Sequence, residues 1–316
     1  MGLTGLLNLS LLIAGIRIAV PILLAGLGGL FTMQANILNI GMEGMMLFGA
    51  WAGVFVSYTT GSVWLALLAA VGVGLASAVI FGLFGVRYRC NIIVAGMGLN
   101  LFAGAFTMFL LRSIFKTRGS LSDPRIVGVP TVTLPGIDQI PVLGPLLSGH
   151  SLLVYVAFLL VLAVHYFLYR TPTGLRIRAV GEHAEAARSV GVDPARVQFL
   201  AVLLSGAFSG LAGAYLSLAQ LRMFVENMVS GRGFIALAAI YFGRGTPVGT
   251  MVAALIFGLA EAFSMRLQTL GYPSQFVLMI PYVVTVTVLI VVSRLATQPR
   301  HLKLPTEVSP GAAKEQ

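Results

Sequence analysis

The 316-residue chain is 58% hydrophobic and only 9% charged, carries 37 glycines and has a net charge of +10. A soluble globule has nowhere to put so much apolar surface, so the composition defines a polytopic membrane protein. The arginines are spread over loops between apolar runs, which argues against nucleic-acid binding, and the single Cys90 excludes an intrachain disulfide or a multi-cysteine metal site.

No cleavable signal peptide is expected, because the first residues lack a basic cluster and the apolar run 3–31 is longer than a signal core. A spanning helix needs about 20 mostly apolar residues. Residues 17–31 with part of the preceding run form the first span. Pro21 and the Gly26, Gly28, Gly29 cluster predict a kinked helix packed closely on its neighbours. Residues 3–16 are either the upstream half of that span or an interfacial helix, and Arg17, then at headgroup level, favours the second.

Next comes Gln34-Ala35-Asn36-Ile37-Leu38-Asn39-Ile40-Gly41-Met42-Glu43-Gly44-Met45-Met46, leading into an apolar run that ends at Tyr58. Amides, glycines and a carboxylate at the head of a membrane run fit a discontinuous helix beside a cavity, or a cytoplasmic turn with Glu43 in water. The third span is 63–86 and the fourth 91–115. Within the fourth, Asn100 follows Gly96-Met97-Gly98-Leu99; an amide there bonds a neighbouring helix or contacts substrate. Residues 116–150 form a proline-punctuated loop facing outward, with 127–129 and 131–133 as short extended pieces.

The fifth span, 152–169, leads into residues 170–196, where Arg170, Arg176, Arg178, Arg188 and Arg196 face Glu182, Glu185 and Asp193. Each ionised side chain would cost about 2.5–3.5 kcal/mol in hydrocarbon, so this segment lies in water, and its arginine excess assigns that water to the cytoplasm. It reads as two short helices meeting at a turn. Gly174 opens a turn, 179–190 is rich in helix formers with acids early and Arg188 late, and Gly191 is a left-handed stop. Asp193-Pro194 caps the next helix.

The run Gly174-Leu175-Arg176-Ile177-Arg178-Ala179-Val180-Gly181-Glu182, followed by Glu185-Ala186-Ala187-Arg188 and Gly191, resembles the cytoplasmic coupling loop of permease subunits of ATP-binding cassette importers. It is most similar to the class that serves ribose, branched-chain amino acids and nucleosides. The isoleucine-x-leucine-proline tail of the other large importer class is absent after Gly191, where this chain has Val192-Asp193-Pro194. The resemblance implies that Gly174, Arg176, Arg178, Gly181, Glu182, Glu185, Ala186, Ala187, Arg188 and Gly191 couple the chain to an ATPase.

The sixth span, 197–218, carries a small-residue stripe at 205–214 that predicts close helix packing. After polar residues between 220 and 233, the apolar run 234–242 is short enough to be a half-helix, and 243–249 is a tight turn. Residues 250–266 and 275–294 complete about eight crossings, within a range of eight to ten. Glu261, an intramembrane carboxylate, is either functional or paired with Arg266. The fold expected is all-α, a polytopic permease domain over 1–297 with at least one discontinuous helix, followed by a disordered cytoplasmic tail at 298–316.

Two further runs extend the resemblance. G-R-G-F-I-A-L-A-A-I-Y-F-G-R-G-T-P-V-G, at 231–249, is similar to the same permease class. N-I-G-M-E-G-M-M, at 39–46, resembles nucleoside-type, guanosine-like permeases of the basic membrane protein type, where ribose-type relatives carry glycine-isoleucine-aspartate-leucine-serine. The basic residues place the coupling loop and C-terminus inside and the N-terminus outside. The resemblance implies the cell membrane of a prokaryote.

No Walker A motif or zinc spacing occurs and the four histidines are scattered, so the chain offers no catalytic or metal site. The resemblance then implies a transport subunit without a cofactor of its own. Its ATP and magnesium would sit on a partner ATPase, with a second permease, identical or homologous, and an extracytoplasmic substrate-binding protein or lipoprotein. A purine or broad-range nucleoside is the expected substrate. For the pathway the candidates are Asn36, Asn39, Glu43, Trp51, Ser57, Asn100, Phe102 and Phe106, with Phe31: rings to stack on a base, amides and a hydroxyl to meet ribose or base edge. A permease for ribose or another simple sugar is the alternative, and an ion-coupled secondary transporter is the alternative of another class.

Overall fold

The computed structural model describes residues 9–133 and 148–269, with the isolated positions 144, 146, 279 and 287. Apart from those positions, the expected span 275–294, the tail 298–316 and the loop centre 134–147 lie outside the described residues. Among the described residues ten helices follow in order: α1 (Leu9–Gln34), α2 (Met42–Thr60), α3 (Val63–Gly82), α4 (Ile92–Phe115), α5 (Leu152–Arg170), α6 (Pro172–Glu182), α7 (Ala184–Ser189), α8 (Pro194–Ala214), α9 (Arg232–Phe242) and α10 (Pro247–Thr269). α3 and α8 continue as π-helical turns at Leu83–Arg87 and Tyr215–Gln220.

Six of these helices, α1, α3, α4, α5, α8 and α10, are long and apolar enough to cross a membrane. α2 is not among them, although it runs for 19 residues. It starts at Met42-Glu43-Gly44 and buries most of its first half, so protein covers it instead of lipid and less apolar character is needed. α9 is the short helix foreseen at 234–242, begun two residues earlier.

Small residues set the packing. A Cβ on Gly210 of α8 would stand 2.3 Å from Ala70 O, and one on Gly213 would stand 1.9 Å from Met46 O, so α8 passes against α3 and α2 with backbones in contact. The stripe at 205–214 therefore packs as expected. Gly210→Leu should lower the melting temperature of the purified protein by about 2–6 °C, since overpacking costs about 1–3 kcal/mol. Gly72→Leu, whose Cβ would meet open space, should leave it unchanged; equal behaviour of the two variants would contradict this packing.

α1 differs from expectation. It is one unbroken helix from Leu9 through Pro21 to Gln34, so residues 9–16 are the upstream part of the span and not a separate interfacial helix. The reason is tertiary: a Cβ on Gly258 of α10 would stand 2.6 Å from Gly15 O, and this close crossing holds the upstream turns in the bundle. Arg17 is accommodated there by a bond to Gly149 O at 3.3 Å.

Among the described residues two strand pairs tie the loops at the opposite end from the charged segment. β1 (Ser120–Leu121) pairs antiparallel with β4 (Phe224–Val225), and β2 (Thr131–Val132) with β3 (His150–Ser151), aligning Thr131 with Ser151. The expected piece at 131–133 thus finds a partner. The one at 127–129 is held instead by Ser57, whose Oγ donates to Val127 O at 2.9 Å and accepts from Val127 N at 2.8 Å. Nearby, Arg125 lies over the Tyr58 ring, 3.9 Å from its centre. Its hydrogen bonds to Asp123 hold that carboxyl below the usual carboxylate range.

Candidate functional site

The charged loop folds as α6 and α7, with the break at His183 and not at Gly174. Thr171 caps α6, its Oγ1 accepting from Gly174 N at 3.1 Å, so Gly174 sits in the first turn. There a Cβ would lie 2.2 Å from Phe167 O, which is why glycine is needed. His183 Nδ1 accepts from Ala186 N at 3.1 Å and starts α7. Gly191 stops it with φ +84°, and Asp193 Oδ1 accepts from Ala195 N at 3.0 Å to start α8, both as expected.

The ten coupling candidates divide by direction. Gly174, Gly181 and Ala187 pack toward the bundle; Gly181 lies so close to α1 that a Cβ would meet Gln34 O at 2.0 Å. Arg178 donates to Leu168 O at 3.1 Å and stacks 5.0 Å from the Tyr169 ring. Arg176, Glu182, Glu185, Ala186, Arg188 and Gly191 are exposed, next to exposed Leu175 and Val190. An outward surface of charges with two aliphatic side chains is suited to docking a partner.

Above this loop α1 ends and the chain stays non-helical until α2 begins. Gln34 Nε2 donates to Gly245 O at 2.7 Å and Gln198 Nε2 to Ala35 O at 3.2 Å, which joins α1, α8 and the turn after α9 at one level. Asn36 then turns the chain with φ +58°. It lines a cavity of about 330 Å³ together with Arg89, Arg188 and Gln198, so the break in the helix opens toward α7. Farther along, buried Asn39 donates to Ser205 Oγ at 2.9 Å. Ser205 is three turns into α8, roughly 16 Å from Pro194 and so near mid-bilayer depth.

Two helix N-termini meet at that depth. α2 is capped by amides: Asn39 Oδ1 accepts from Gly41 N at 3.0 Å, and Asn100 Oδ1 accepts from Gly44 N at 2.8 Å while its Nδ2 donates to Ile40 O at 3.0 Å. α9 is capped by Glu43, whose Oε1 accepts from Gly231 N and Oε2 from Gly233 N, each at 2.7 Å. A carboxylate at a helix N-terminus satisfies orphan N–H groups and faces the positive end of the dipole. Gly231 has φ +85°, and a Cβ on Gly233 would lie 2.7 Å from Glu43 N, so both glycines are required for the clamp.

Arg232, between those glycines, pairs with Glu261 of α10. This replaces the expected Glu261–Arg266 pair: residues five apart lie about 140° around a helix and do not face each other. Arg266 donates to Ser10 Oγ at 3.3 Å instead. Glu43, Arg232 and Glu261 thus bring two carboxylates and one guanidinium to a junction of three helices. Sequence reasoning passed over Arg232 and its glycines as a docking partner for Glu43; a Gly-Arg-Gly at the head of a short apolar helix was the available signal.

The aromatic candidates separate into two places. Phe31 packs on Phe167 and Phe208, with ring centres 5.7 and 5.8 Å away. Trp51 stacks on Phe55 at 4.9 Å, and Phe102 on Phe106 at 5.2 Å, with Phe48 touching both phenylalanines across α2 and α4. Phe102 is 52% exposed and Phe106 38%, so this row of rings is open on one side.

A bundle of membrane helices interrupted at mid-depth, with a capped charged loop at one end, has the architecture of a transport subunit. The chain belongs to the family of branched-chain amino acid transport system permease components, whose pattern matches residues 11–292. It is 34% identical to the guanosine ABC transporter permease protein NupQ of Bacillus subtilis over 285 residues, 86% of this chain and 88% of that one. The nucleoside ABC transporter permease protein NupC of Lactococcus lactis is 33% identical over 294 residues, 89% and 92% of the two chains. TsgC13 of Haloferax volcanii, whose name assigns it provisionally to glucose, is 36% identical over 271 residues, 84% and 79%. Each of these organisms has a second matching permease at lower identity: NupP at 27%, NupB at 22% and TsgB13 at 30%. No solved structure matches the chain at a significant level.

Proposed function

We propose that the chain is one of two non-identical permease subunits of an ATP-driven importer for purine or broad-range nucleosides. The observation that carries this reading is the similarity to guanosine and nucleoside permeases along nearly the whole chain. The paired relatives support a heterodimer, because the chain is more similar to one member of each pair than to the other. TsgC13 supports the second reading, a permease for a simple sugar.

In this reading the exposed residues of α6 and α7 dock on an ATPase subunit that holds ATP and magnesium, inside the cell. A substrate-binding protein delivers the nucleoside from outside, near β1 to β4. Asn36, Asn39, Glu43 and Asn100 form the inner part of the pathway wall. Trp51, Phe102 and Phe106 offer ring faces to a base, and Ser57 holds the outer loop over them. Closure of the ATPase pulls on α6 and α7, and Gly181 passes the movement to the end of α1 and so to the break at Asn36.

Co-expression with the partner ATPase should yield a complex. Ala186→Trp places a large ring on the exposed docking face, and should abolish both co-purification and uptake while the subunit still inserts in the membrane. Native co-purification and uptake with the tryptophan in place would overturn the docking role of α7.

A further inference from the structure

At the end of α1 opposite the break after Gln34 lies a cavity of about 500 Å³, lined by residues that include Ser10, Ile13, Arg17, Thr131, Tyr215 and Gln220. Its polar wall is assembled by contacts between distant segments. Tyr215, 2% exposed, donates from its hydroxyl to Arg17 O at 3.0 Å and joins α1 to the π-helical turn of α8. His150, also 2% exposed, offers Nδ1 to Arg17 Nε at 3.5 Å while its Nε2 lies 3.0 Å from Leu146 O. Among the described residues no carboxylate pairs with Arg17, and Gln220 Oε1 is buried without a hydrogen-bond partner.

An arginine held in place without a counter-ion suits an anion, and its planar fork suits a phosphate. The depth suggests the source. Arg17 is roughly 25 Å along α1 from Gln34, in a bilayer whose core is about 30 Å thick, so it stands near the far headgroup boundary. Ile13 and Ile18, also in the lining, offer apolar contact to the start of an acyl chain. Gln220, in a π-helical turn of the kind that often marks functional sites, supplies an acceptor for a head that carries a donor.

We infer that this cavity holds the headgroup of one outer-leaflet glycerophospholipid, with its phosphate on Arg17 and its hydroxyl or ammonium head toward Gln220. The word outer rests on the orientation proposed above; the binding chemistry does not.

Native mass spectrometry of the purified transporter complex in a delipidating detergent tests the inference, with phosphatidylglycerol as the added lipid. Wild type should retain one phospholipid per subunit that Arg17→Gln and Gln220→Leu lose by about fivefold or more, a loss of the size expected for one hydrogen bond to a charged or donor-bearing head. Arg118→Gln, exposed and outside the cavity, should retain it. Retention must also survive millimolar inorganic phosphate and millimolar guanosine. Equal retention in all variants would overturn the inference. Displacement by phosphate would make this a soluble-anion site, and displacement by guanosine a substrate vestibule; either would overturn it too. Because no transport is read, failure of the nucleoside assignment leaves this result standing.

Discussion

Glu43→Gln is expected to cut uptake by tenfold or more and to destabilise the subunit. Glutamine keeps the volume but brings one acceptor oxygen to two N–H groups, so either Gly231 N or Gly233 N is left facing an amide NH₂ at a buried helix start. Losing a charge-assisted bond and orphaning the donor costs about 1.5–3 kcal/mol, roughly a tenfold to hundredfold change in any equilibrium the junction controls. Glu226→Gln is the comparison. Glu226 accepts from Gly119 N at 3.2 Å and lies 3.7 Å from Arg112, whose side chain is 50% exposed, and such surface pairs contribute little. Uptake and thermal stability should separate the two variants clearly. If Glu43→Gln transports and melts like wild type, the clamp on α9 is not a working part.

The second large effect is expected at Gly181. A leucine there must displace α6 from α1, because even a Cβ would be 2.0 Å from Gln34 O and a backbone carbonyl at a helix end has little room to yield. The outward docking surface of α6 and α7 is untouched. The complex should therefore still assemble and hydrolyse ATP, while nucleoside uptake falls by at least about tenfold, the signature of a broken linkage rather than a lost contact. Measuring ATP hydrolysis and uptake on the same reconstituted preparation checks this. An unchanged ratio of the two would remove Gly181 from the coupling path.

What was legible in the sequence was what local chemistry enforces. Asp193-Pro194 caps a helix wherever it occurs before an apolar run, Gly191 supplies a left-handed stop, and a stripe of small residues within a membrane span packs closely because nothing else explains it. The shortness of α9 and the break after Asn36 also showed in composition, as polar and glycine residues interrupting hydrophobic runs.

The rest depends on partners far away in the chain. Glu43 and the glycines it clamps are nearly two hundred residues apart, and no local pattern announces such a contact. The helix break at His183 uses an imidazole nitrogen as a cap, a role that propensity does not foresee. Glu261 was matched to the nearest arginine in sequence, whereas helix geometry turns Arg266 away and brings Arg232 from another helix. Asn100 was expected to bond a neighbour; that the neighbour is the backbone at the start of α2 became visible only in three dimensions.

The central claim, that this chain carries nucleosides through an ATP-driven importer, is tested most directly by uptake of labelled guanosine into cells with and without the gene. Uptake should require both this subunit and the partner ATPase. Excess unlabelled inosine or adenosine should compete, and ribose or glucose should not. If guanosine uptake were unaffected by loss of the chain, or if glucose were the transported solute and nucleosides failed to compete, the nucleoside assignment would be contradicted while membership of the permease family stood.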